Sequence, residues 1–160
     1  MIGSVATGKA IMCNAAAHMT KVLLELGRKV LCIFMDNFQL DEDIEGIVAS
    51  RIIYLGQMCN YVRQVYVQES VYDTFLAKFV AKMNPSKCGL LDKEGAQFYS
   101  LISSDHREKV QGMVNRAVTA VAKVEYSGKS IKKPGYCFAP TVLTGTTQDS
   151  DIVHSGAMHW

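Results

Sequence analysis

The chain's 160 residues suit one domain of ordinary size, and an apolar content of 49% is enough for a core. A net charge of +2 with 20% charged residues leaves no basic stripe, which argues against a nucleic-acid surface. The longest apolar run, Val30 to Met35, falls far short of the ~20 residues of a membrane span, and Met1-Ile2-Gly3-Ser4 is no secretory signal, so a cytoplasmic protein with no membrane partner is expected.

Taken in order, Gly3 to Gly8 reads as a turn, leading into an Ala-rich helix over Lys9–Met19. Val22–Leu26 is a short apolar run that contains Glu25. Lys29–Met35 has the continuous apolar character of a strand buried on both faces. Asp41, Glu42 and Asp43 suit the positive end of a helix dipole. Behind them Ile44, Ile47, Val48, Ile52 and Leu55 recur at three- and four-residue steps, so a helix is predicted over Leu40–Tyr54, ended by Gly56.

Val62–Gln68 alternates like a strand. Ser70-Val71-Tyr72-Asp73 has the form of a capping box and opens an amphipathic helix with Phe75, Leu76, Phe79 and Val80 on one side. Residues 84–100 should be mostly loop. A second amphipathic helix is predicted over Asp105–Ala122, with Val110, Met113, Val114, Ala117, Val118 and Val121 inward. Lys123–Tyr126 reads as a strand, 127–135 as a basic turn, 136–143 as extended chain, and Asp151–Val153 as one more strand. The alternation of helices and strands makes the fold class α/β.

Two residues stand out chemically. Glu25 is a carboxylate in an apolar run; burial would suit it to general-base work, although a charged residue is more often exposed at an edge strand. Cys59 follows Gly56-Gln57-Met58 at a helix–strand seam, where loops often carry function, although a lone cysteine is more often a small buried hydrophobe. The five cysteines are odd in number, widely spaced and without a CxxC pair, which points to free thiols and to no metal site.

Three motifs in order resemble those of the NAD(P)-dependent aldehyde dehydrogenases. Gly3-Ser4 followed by Gly8 is similar to that family's phosphate-side turn. Leu24-Glu25-Leu26-Gly27 followed by Lys29 resembles its Glu-Leu-Gly-Gly-Lys signature, and Gly56-Gln57-Met58-Cys59 its Gly-Gln-x-Cys motif. Val65-Tyr66-Val67, Tyr72-Asp73, Gly135-Tyr136 and Ala139-Pro140-Thr141-Val142-Leu143 extend the likeness to residue 153. Gln57-Met58-Cys59-Asn60 and Tyr66-Val67-Gln68 most resemble the lactaldehyde branch.

The resemblance implies a partial fold. Residues 1–28 would be the end of a Rossmann-type cofactor domain, 29–153 the first part of a catalytic domain, and 154–160 a divergent tail. It implies Cys59 as the nucleophile, forming a thiohemiacetal with a small aldehyde, and Glu25 as the base that activates water to release the acid. Gly3, Ser4, Leu26 and Gly27 would lie beside NAD or NADP.

Family members are longer, and several residues depart from their pattern. Arg28 stands for the second glycine of the glutamate signature, Val30-Leu31 for Ser-Pro, Tyr54 for asparagine and Gln64 for arginine. With most of the cofactor site lacking, the resemblance implies an inactive remnant, a pseudoenzyme. The alternatives are an interaction module that docks on an intact relative through exposed sheet edges, and an enzyme completed by a partner chain.

Overall fold

The computed structural model of the chain describes residues 1–27, 30–52, 56, 60–83, 100–131 and 135–155. Among the described residues the α/β architecture is built on three two-stranded sheets.

The first unit is β1 (Ile2–Gly3), α1 (Val5–Ala16) and β2 (Glu25–Leu26). The strands are parallel, with Ile2 beside Glu25 and Gly3 beside Leu26, so α1 is the crossover between them. Ser4 starts the helix: its backbone is extended and its Oγ accepts from the Thr7 amide at 3.1 Å. The helix therefore begins at Val5, and the turn expected over Gly3–Gly8 is instead a strand end, a cap and the first helical turn. Within α1 the buried residue is Gly8, because a Cβ there would come 2.7 Å from Leu26 Cδ2. That close approach lays the helix on β2.

The second unit carries the largest core. β3 (Val30–Phe34) and β4 (Val62–Val67) are parallel, joined through α2 (Leu40–Ile52). A single 3-10 turn at Glu69–Val71 then leads into α3 (Tyr72–Met83). Cys32 and Phe34 on β3, with Val65 and Val67 opposite on β4, face Ile44, Ile47 and Val48 of α2 and Phe75, Phe79 and Met83 of α3. Phe34 lies 4.8 Å from Phe75 between ring centres, and Phe75 stacks on Phe79 at 5.4 Å. Outside this core, the exposed Lys78 and Lys82 of α3 pair with Asp41 and Glu45 of α2.

Three expectations fail here. β3 is not buried on both faces: Leu31 and Ile33 are 52% and 57% exposed, and on that face the 148–153 segment reaches Gln64 and Tyr66 of β4. Ser70 makes no capping box. It lies within the 3-10 turn, which follows Gln68 and has no side-chain cap. In α4 (Ser104–Ala120) the inward stripe stops at Ala117, and Val118 and Val121 are exposed.

The third unit packs α4 against β5 (Lys123–Tyr126) and β6 (Val142–Thr144), an antiparallel pair. Ser103 caps α4 by accepting from the His106 amide at 3.1 Å. Leu101, Val114 and Phe138 form its small core. Asp151–Ser155 is a short helix, α5, and not the expected strand. The Ser150 carbonyl accepts from Val153 and His154, and its Oγ from the Thr147 amide, so turn chemistry overrides a two-residue apolar signal.

Candidate functional site

Five residues singled out in the sequence come together at the first unit. The Gly27 amide donates to the Gly3 carbonyl at 3.0 Å, and the Glu25 amide to the Met1 carbonyl at 2.8 Å. Register then places Leu26 against Gly3, with Ser4 next in line as the helix cap. Glu25 itself is exposed on β2, so its apolar sequence neighbours do not bury it. The edge-strand placement fits the ordinary behaviour of a charged residue.

Cys59 lies outside the described residues, as do Gln57, Met58, Arg28 and Tyr54. Its approach is described. Gly56 is buried at φ +65, in the left-handed region open to glycine. A Cβ there would fall on the guanidinium of Arg51, 2.6 Å from Cζ. Arg51 Nη1 donates to the Gly56 carbonyl at 3.3 Å, tying the end of α2 to the residue three before Cys59. Beyond Cys59, Tyr61 is buried ahead of β4.

Beside Gly56 is a cavity of about 460 Å³, walled by α2, β4, α3, α4, α5 and the 138–148 segment with β6. Two arginines line it, Arg51 and Arg63. Burial, and after it the charge of Arg63, lowers the Arg51 guanidinium to about 10. Burial also lowers Arg63, whose Nε and Nη2 are sealed from water with no acceptor. Sequence reading missed both arginines. The signal that singled out Glu25, a charge inside an apolar pattern, would have found them at the end of α2 and within β4.

The cysteines divide. Cys13 and Cys32 are free, and burial followed by the charge of Asp43 raises the Cys32 thiol, which keeps it protonated and inert. Cys137, in contrast, is buried and disulfide-bonded, against the expectation of free thiols throughout. Count and spacing in sequence do not show which sulfurs the fold brings within bonding reach. Among the described residues no three His, Cys, Asp or Glu side chains cluster as for a metal, and no described helix is long and apolar enough to cross a membrane.

Comparison with known proteins agrees with the motifs. The model of the aldehyde dehydrogenase family matches residues 1–157. Lactaldehyde dehydrogenase of Escherichia coli is 38% identical over 155 residues, 96% of this chain and 32% of that protein. Succinate-semialdehyde dehydrogenase [NADP(+)] 2 of Schizosaccharomyces pombe is 36% identical over 148 residues, 92% of this chain and 30% of that one. The crystal structure of the Escherichia coli lactaldehyde dehydrogenase superposes with a TM-score of 0.91 over 96% of this chain and 32% of its own. A 3,6-anhydro-L-galactose dehydrogenase in complex with NAP, 32% identical, superposes at 0.89 over 96% of this chain and 33% of its own. The chain spans about a third of the length of the relatives it matches, and its fold is accordingly part of theirs. Motifs, fold and family model agree, and the chain belongs to the aldehyde dehydrogenase family.

Proposed function

We propose that this chain carries the nucleophile-bearing portion of an NAD(P)-dependent aldehyde dehydrogenase, and that the 160-residue form alone is catalytically inactive. Cys59 is the nucleophile that adds to the aldehyde carbonyl, its own backbone amide donates to the developing oxyanion, and Glu25 activates the water that releases the acid. A bound NAD or NADP would supply the two-electron oxidant. Toward it, the chain offers Gly3, Ser4, Leu26 and Gly27 and the first turn of α1, whose Val5 and Ala6 amides have no partner within the helix and can meet a phosphate. Residues 1–28 are the end of the cofactor domain, 29–153 the start of the catalytic domain and 154–160 a divergent tail, and a cytoplasmic location belongs to the same proposal.

The observation that carries inactivity is the span of the match. Both motif residues lie in a segment matched over 1–157, yet it corresponds to about a third of its relatives. Positioning and preorganised electrostatics supply most of an enzyme's advantage, and both need the whole cradle. The test is an assay of NAD- or NADP-dependent oxidation of lactaldehyde and succinic semialdehyde. No turnover is expected, whereas turnover abolished by Cys59→Ala would refute inactivity.

One observation favours a second reading, completion by another chain. Leu31, Ile33 and Tyr66 share the outer face of the β3–β4 pair and are exposed, with Met35 beyond them, an apolar row suited to burial. Mixing with the complementary portions of a relative should then restore oxidation; no activity with any such portion counts against it.

A further inference from the structure

The cavity beside Gly56 has a composition that catalysis by Cys59 and Glu25 does not use. Its described lining holds two guanidiniums and one histidine, and no aspartate or glutamate. Arg51 has one acceptor, the Gly56 carbonyl at 3.3 Å. Arg63 has none at Nε or Nη2, although both atoms are cut off from water. The two cations feel each other, since the charge of Arg63 adds to burial in lowering Arg51 to about 10. Arg51 is deeply buried and Arg63 half-buried; cations so placed without a counter-charge are costly, and the ordinary resolution is a paired anion.

We propose that this cavity binds a compact oxyanion, a free phosphate or the carboxylate of a small acid, held chiefly by Arg63 with Arg51 behind it. The planar guanidinium fork matches two oxygens of either group, a fit an ammonium lacks. The volume of about 460 Å³ lies in the range of small-molecule sites, and six elements wall it, which suits a small ligand better than a folded partner. Arg63 Nη1 is not among its sealed nitrogens and is the part of the guanidinium open to a ligand. Arg51 keeps its hold on Gly56 and supplies the second charge. The site is independent of the catalytic reading, because binding needs neither Cys59 nor a dinucleotide.

The test uses thermal melts of the 160-residue chain in sodium phosphate, sodium succinate and sodium chloride at matched ionic strength. The melting midpoint should rise saturably with phosphate, succinate or both, relative to chloride; which salt acts identifies the source of the oxyanion. Arg63→Gln should weaken the apparent affinity roughly tenfold or more, the loss expected for charged hydrogen bonds. Arg63→Lys should recover part of it, and Lys78→Gln, remote on α3, should leave it unchanged. In the wild type, an arginine Nε–H resonance should move over the same titration, a readout that does not depend on any variant folding. Midpoints equal to those in chloride for both salts, with no moving resonance, would overturn the proposal. So would an undiminished shift in folded Arg63→Gln.

Discussion

The β3–α2–β4–α3 unit and the β1–α1–β2 unit have the same parallel strand–helix–strand plan, yet differ in how they are held. In the former, three phenylalanines and the apolar residues of two helices close over one sheet face. In the latter, a 12-residue helix buries a single glycine, and the sheet is two residues deep. Glu25 and the Gly3-Ser4 cap sit on the thinly held unit. Backbone pairing is enough to bring signature residues together, but a packed layer is needed to hold them against a ligand.

The largest expected effect breaks the stronger region. Phe75→Ala removes the ring between Phe34 and Phe79 and should cost about 3–5 kcal/mol in urea unfolding followed by far-UV circular dichroism. Gly56→Ala forces a side chain at positive φ onto Arg51 and should cost about 1–3 kcal/mol by the same measurement. Ser103→Ala, which removes the α4 cap, should cost about 1 kcal/mol.

Against these, Gly8→Val pushes Leu26 away but touches only the thin unit. Global unfolding should then change by less than about 0.5 kcal/mol, while amides of α1 and β2 exchange faster. A global loss as large as that of Phe75→Ala would show the two regions to be one cooperative unit.

The smallest effect is in acid. The hydrogen bond from Lys123 first, then that from Thr144, holds the Glu125 carboxyl below its ordinary value. A carboxyl lowered by folding gives stability present above its unfolded pKa and lost as pH falls through the folded one. Glu125→Gln should therefore slightly flatten the fall in melting temperature on acidification, and an unchanged slope would remove Glu125 from that fall.

What could be read from sequence follows the same division. α2 and α3 were legible because Ile44, Ile47, Val48, Phe75 and Phe79 repeat at helical spacing over a buried face. The exposure of Leu31 and Ile33 was not, since an apolar run shows what could be buried and not what is present to cover it. α5 was misread because two apolar residues carry no period, while Ser150 decides the turn. Motif order identified the family, and the first unit brings together the Gly3, Ser4 and Glu25 that it named. The Arg51–Gly56 clasp and the Arg63 cavity were hidden, since they join residues by spatial approach and not by spacing.

The most direct measurement is calorimetric titration of NAD and NADP into the folded 160-residue chain, with an aldehyde-oxidation assay on the same sample. The expected result is no saturable heat and no turnover with either nucleotide. Tight, saturable binding accompanied by oxidation that Cys59→Ala abolishes would contradict it.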